Sequence, residues 1–272
     1  MTATGRPPIP GAEPFEYPGR SDVGVLLVHG FTGSPFELRP VGTALAAVGI
    51  GSHGPLLRGH GTHPDDMLHY RYTDWIADVE AGLDRVLQHH ERAVVVGLSM
   101  GGTLALNVAA RRADDPRVLG LVTIGGTLYL DDWRLRFVEQ ISRVIKWQGW
   151  GLPDIKDRSA WEGHIGYRRI RTRAIPQMVA LMRDTTERLS QVRQPILILQ
   201  ARDDHVVPAG NATTIYDGVS SSDRHVLLLD NCYHVSTVDF DADLINAEIV
   251  RFVDRLRAHV SAQPYTPDGP SA

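Results

Sequence analysis

Short apolar runs of Val, Ile and Leu alternate along this chain with segments whose apolar residues recur at helical spacing. No other feature restricts its fold as much. The runs are "VGVLLVHG" (residues 23–30), "AVVVGLS", "RVLGLVTIGG", "PILILQA" and "HVLLLDN", with a weaker one in "GIGSHGP" (49–55). Between them lie "PFELRPVGTALAAVG", "GGTLALNVAARRA" and "TDWIADVEAGLDRVLQHH". The last of these places Trp75, Ile76, Val79, Leu83, Val86 and Leu87 on one helical face, with Thr73 or Asp74 available as its cap. "DADLINAEIVRFVDRLRAHV" closes the chain as an amphipathic helix. Strands that are apolar at every position must be covered on both faces, so the expected fold is α/β: a mostly parallel central sheet between two layers of helices. Ligands of such sheets bind at the carboxyl ends of the strands.

The expected division is a core over 21–126 and 194–260, interrupted by 127–193. That interruption is too long for one crossover helix. It carries Trp133, Trp147, Trp150 and Trp161 among helically spaced Leu, Ile and Met, and is expected to form a small helical cap over the sheet edge. Residues 1–20 and 261–272 are rich in Pro and Gly and are expected to be flexible. The formal net charge of −4 supplies no field for nucleic acid, and no basic face or bilayer-length apolar run is evident. Cys232 is the only cysteine, which excludes an internal disulfide. The N-terminal residues lack the pattern of a secretory signal, so the expected location is cytoplasmic.

The chemistry is concentrated at Gly97-Leu98-Ser99-Met100-Gly101, a G-x-S-x-G set directly between an apolar strand and an apolar helix. A turn that tight strains the serine and leaves no room for neighbouring side chains, hence Gly97, Gly101 and Gly102. It exposes the hydroxyl at the sheet's carboxyl edge, beneath the amides that open the next helix. A serine hydroxyl needs a base, and the base needs an orienting acid. After Ser99, the strand "ILILQA" leads into "RDDHVVP", which offers Asp203 and Asp204. The spacing to Val207-Pro208 favours Asp204 and leaves Asp203 as a loop or capping residue. The strand "HVLLLDN" leads into His234, a better-placed base than His205, beside the acid, or His225, at a strand's start. Two backbone amides should receive the oxyanion, those of Met100 and of Phe31 in "HGFTGSP", where Gly30 and Gly33 permit close approach. Trp133, Phe137, Ile141, Met178 and Met182 are candidates for an acyl pocket, with core packing open for each. His53, His60, His63 and His69 crowd one stretch but lack the spacing of a zinc helix, and no metal is expected.

Together "HGFTGSP", "RGHGTHP", "TDWIADV", "GLSMGG", "QARDDHVVP" and "YHV" resemble the α/β-hydrolase superfamily, and within it the small bacterial carboxylesterases related to monoacylglycerol lipases, from about residue 23 to about residue 260. The resemblance implies an α/β-hydrolase fold and a Ser99–Asp204–His234 triad with Phe31 and Met100 as oxyanion amides. It also implies hydrolysis of short- to medium-chain carboxylic esters or monoacylglycerols through an acyl-enzyme, without a cofactor. A thioesterase or a carbon–carbon bond hydrolase on the same triad is the alternative. The expected partner is a small ester or lipid, with no nucleic acid and no stable membrane insertion. In one departure, Asn231-Cys232-Tyr233 precedes the histidine where relatives often carry a small residue or glycine, which bears on the shape of that loop. Cys232 reads as buried packing.

Overall fold

The computed structural model describes residues 5–149 and 151–261. Its strands are β1 (Phe15–Tyr17), β2 (Val23–Val28), β3 (Ser52–Gly54), β4 (Arg92–Leu98), β5 (Val118–Ile124), β6 (Trp147–Gly149), β7 (Arg169–Arg171), β8 (Ile196–Ala201) and β9 (Arg224–Leu229). Its α-helices are α1 (Arg39–Ala47), α2 (Tyr72–His89), α3 (Met100–Arg111), α4 (Val138–Val144), α5 (Ile175–Thr186), α6 (Gly210–Gly218) and α7 (Ala242–Ser261). Seven strands form the main sheet in the order β1-β3-β2-β4-β5-β8-β9, parallel throughout except for β1.

Alternate strand residues serve opposite faces, as the pleat requires. Val25, Leu27, Val94 and Val96 pack with Val41 and Leu45 of α1 and with Ile245, Ile249 and Phe252 of α7. Leu26, Val28 and Val95 pack with Trp75, Val79 and Leu83 of α2 and with Met100 and Leu104 of α3. This is the α/β-hydrolase architecture expected from the sequence. Neither Thr73 nor Asp74 is the cap of α2: the helix starts earlier, with Arg71 at the N-cap, and Asp74, in the first turn, accepts the Arg71 N–H at 2.7 Å. Among the described residues no helix is long and apolar enough to cross a membrane.

Two expectations need correction. The segment 1–20 is not wholly loose, because Phe15–Tyr17 pairs antiparallel with β3 as an edge strand. Phe15 is buried against Gly42 and Gly54, with the Arg39 guanidinium 5.0 Å above its ring. A three-residue strand among prolines is too short to show periodicity. The stretch between β5 and β8 is not purely helical either. Besides α4, α5 and single 3-10 turns it contains the β6–β7 ribbon, in which Trp147 lies under Arg169 and Arg171, at 4.7 and 4.1 Å. The 261–272 tail lies outside the described residues except for Ser261, the last residue of α7.

Where α3 meets the sheet, backbone packs directly on backbone. A Cβ on Gly101 would sit 2.0 Å from the Val28 carbonyl oxygen. Gly101→Ala should therefore destabilise the fold by about 3 kcal/mol, the upper range for overpacking. Gly163→Ala, where a Cβ meets nothing within 4 Å, should stay within about 0.5 kcal/mol of the wild type. Urea denaturation of the two variants measures the contrast.

Candidate active site

Ser99 is the single residue between β4 and α3, with φ 54° and ψ −117°. Among the described residues the only other non-glycine with positive φ is Thr32, at 68°. Such conformations cost of order 1–3 kcal/mol each and persist only where the surroundings enforce them. Here they do. The Ser99 N–H donates to the Ile124 carbonyl at 2.7 Å, and the Thr103 N–H donates to the Ser99 carbonyl at 3.1 Å. A Cβ on Gly97 would lie 2.1 Å from the Gly101 oxygen, so only glycine lets strand and helix meet this closely.

His234, in the loop after β9, spans the gap between Ser99 and Asp204. Its Nδ1 lies 2.8 Å from Asp204 Oδ2 and its Nε2 lies 2.9 Å from Ser99 Oγ. An ionised carboxylate can only accept, so Nδ1 carries the proton and Nε2 accepts from the Ser99 hydroxyl. Asp204 is itself held: its Oδ1 accepts the N–H groups of Val206 and Val207 at 2.9 and 2.7 Å. Asp203 is exposed. His205 and His225 are exposed too, and pair with Asp154 and Asp223.

The electrostatics of the pair follow from this geometry. Burial works to raise the Asp204 pKa, but the His234 charge and the hydrogen bonds from His234, Val207 and Val206 outweigh it and hold the carboxyl below its ordinary value. Burial works to lower the His234 pKa. The charge and hydrogen bond of Asp204, then the charges of Asp154 and Glu37, reverse this and raise it.

The loop after β2 closes the other side of the serine. A Cβ on Gly30 would stand 3.3 Å from Ser99 Cβ, so the loop that leads into Phe31 passes close to the serine. Met100 opens α3, where first-turn N–H groups have no partner within the helix. The loop is clipped from above: the Tyr167 N–H donates to the Thr32 carbonyl at 2.8 Å, Ser34 Oγ donates to the Ile165 carbonyl at 2.8 Å, and His164 Nε2 lies 3.0 Å from Glu37 Oε1.

Residues 19–241 match the family model described as serine aminopeptidase, S33. The chain belongs to this family of α/β-hydrolases. Among curated relatives it is 37% identical to a thermostable monoacylglycerol lipase of Bacillus sp. (strain H-257), over 90% of this chain and 96% of that protein. It is 25% identical to a carboxylesterase of Bacillus subtilis (strain 168), over 90% and 97%. Among solved structures it superposes with a TM-score of 0.86, at 32% identity over 92% of this chain and all of the other, on one from a study of LipS and LipT, two metagenome-derived lipolytic enzymes. The chain is therefore an enzyme, a hydrolase.

In this α/β-hydrolase the five pocket candidates do not gather. Met178 and Met182 are buried in the cluster of α2 and α3 with Trp75 and Met100. Trp133 and Phe137 are 72% and 51% exposed and touch each other edge to face at 6.4 Å. Ile141 is half-buried. The crowded histidines disperse. His53 Nδ1 meets the Phe15 carbonyl, His63 accepts the Asp65 N–H, His69 is exposed and His60 is buried against His29. No group of three His, Cys, Asp or Glu among the described residues is placed to hold a metal ion.

Sequence reasoning missed two carboxylates. Asp154 accepts the His234 N–H at 3.1 Å, and buried Asp239 accepts the N–H groups of Lys156, Asp157 and Tyr233 at 2.7, 2.9 and 2.9 Å. No local pattern marks either residue, because Asp154 meets His234 from 80 residues away and Asp239 meets Lys156 and Asp157 from 83 and 82.

The histidines should separate in a pH titration followed by imidazole NMR. His234 should titrate above 6.5, while burial pushes His60 down to about 4 and His29 down to about 3. The depressed pair stays neutral in the fold as the unfolded chain takes up protons below pH 6.5. Their contribution to stability is complete above that pH and is lost as the pH falls. A His234 midpoint below 6.5 would contradict the assignment of charges around it.

Proposed function

We propose that this hydrolase is a serine carboxylester hydrolase acting on short- to medium-chain esters or monoacylglycerols. The observation that carries the reading is the unbroken line from the Asp204 carboxylate through both nitrogens of His234 to the Ser99 hydroxyl. Similarity to a monoacylglycerol lipase and a carboxylesterase supports the substrate class.

In the proposed reaction His234 Nε2 takes the proton of Ser99 as Oγ attacks the ester carbonyl carbon. The carbonyl oxygen becomes an oxyanion, held by the N–H groups of Phe31 and Met100. The tetrahedral intermediate collapses, the C–O bond to the alcohol breaks, and imidazolium returns the proton to the leaving oxygen. Water, deprotonated by the same nitrogen, attacks the acyl-Ser99 carbonyl carbon; the C–Oγ bond breaks, the imidazolium returns the proton to Ser99 Oγ, and the carboxylic acid leaves. Asp204 keeps the imidazole in the reactive tautomer and stabilises the imidazolium. The raised His234 pKa suits a group that must hold a proton between the two half-reactions. Residues 127–193 serve as the cap, and Trp133, Phe137 and Ile141 supply its apolar surface for the acyl chain. With one cysteine and no internal disulfide to form, we place the enzyme in the cytoplasm.

Ser99→Ala should lower turnover of a p-nitrophenyl ester by roughly four to six powers of ten. Asp204→Asn, which permits the wrong imidazole tautomer, should cost about four. Against p-nitrophenyl esters of increasing length, a monoacylglycerol and an acyl-CoA, kcat/KM should be highest among the short to medium esters and the monoacylglycerol. An undiminished rate for the Ser99 variant would overturn the nucleophile, and a preference for acyl-CoA would overturn the substrate class.

A further inference from the structure

Residues 154–157 run beneath the loop that carries His234. Asp154 sits where that loop meets the one carrying Asp204, with its side chain only 18% exposed. One oxygen, Oδ2, accepts two backbone N–H groups, that of His234 at 3.1 Å and that of His205 at 3.1 Å. His205 directly follows Asp204 in the chain. The other oxygen, Oδ1, lies 2.8 Å from His205 Nδ1, and the Asp154 carbonyl accepts the Val235 N–H at 3.0 Å. A single carboxylate thus ties the backbone of the base to the backbone next to the acid, although β8 and β9 deliver the two on separate loops.

We propose that Asp154 is a positioning residue that sets the separation of Asp204 and His234, and through it the aim of Nε2 at Ser99 Oγ. The proposal rests on the acyl-transfer reading above. The chemistry of the site favours this role over an anchor for the insertion alone. Asp239 already clips the insertion to the histidine loop through Lys156, Asp157 and Tyr233. Asp154 adds the link from that loop to the acid. Misplacing a reacting group by about 1 Å can cost roughly 100-fold in rate.

Three substitutions separate position from charge. In Asp154→Asn the amide oxygen can take the place of Oδ2 and accept both N–H groups while the NH2 donates to His205 Nδ1 in the tautomer that carries its proton on Nε2, so the geometry survives without the charge. Asp154→Glu keeps the charge and displaces the oxygen by a methylene. Asp154→Ala removes the tie. The proposal expects kcat on a soluble p-nitrophenyl ester to fall roughly 10- to 100-fold for the Ala and Glu variants, with KM within about twofold, and to stay within about threefold of wild type for Asn. Thermal melting identifies any variant that fails to fold; if Ala does, the Asn and Glu pair decides. Loss in Asn equal to that in Glu, or no loss in folded Glu and Ala, would overturn the positioning role. Ser99→Ala measured alongside keeps this separate from the parent reading: if its rate is undiminished, the acyl-transfer reading itself has failed, whatever the Asp154 variants do.

Discussion

The structure turns on the contact of bare backbone where β4 passes into α3. A side chain at Gly97 or Gly101 would drive into the Gly101 or Val28 carbonyl. Glycine at both places lets the helix start directly against the sheet, and the one residue left to make the turn, Ser99, is forced to φ 54°. Three consequences follow together. The hydroxyl stands at the carboxyl edge, the open end of α3 lies beneath it, and the ends of β2 and β4 come close enough for the loop after β2 to border it. The strain is held in place by packing on both faces of the sheet, where Leu98 and Met100 are buried in opposite clusters.

Around that point the fold sorts its histidines by environment. His29 and His60 lie in apolar surroundings and stay neutral, with Leu57 N–H donating to His29 Nε2. His234 is less enclosed, with 11% of its side chain exposed, and it faces carboxylates, which raise its pKa. The insertion between β5 and β8 is part of this arrangement. Its residues 154–157 satisfy the histidine loop, and its residues 164–167 satisfy the loop after β2. The segments that border the serine from two sides are therefore tied to one inserted stretch.

The parts of this that were legible in the sequence are those whose chemistry is local. A strand, a glycine-framed serine and a helix are contiguous, and Asp204 and His234 each follow an apolar strand within a few residues. The central strands declared themselves because burial on both faces demands unbroken Val, Ile and Leu. Of the short or weakly patterned elements only β3 showed, in the weak run over 49–55. β1 and the β6–β7 ribbon have three residues per strand, and α6 is built from "GNATTIYDG", poor helix formers held by Ala212 and Ile215 against the sheet. Asp154 was invisible because a lone aspartate in an insertion carries no pattern and its partner lies 80 residues away. Met178 and Met182 were ambiguous for another reason: an apolar helix face looks the same whether it covers a core or lines a pocket, and α5 turns those residues to the core.

The proposed chemistry requires that the imidazole beside Ser99 activate its hydroxyl. Reaction with a fluorophosphonate, followed by proteolysis and mass spectrometry, tests this without any choice of substrate. A single adduct on the peptide containing Ser99 is predicted, formed far more slowly in a folded His234→Ala variant that still carries the serine. An adduct on another residue, or labelling of Ser99 at the wild-type rate without His234, would contradict the account.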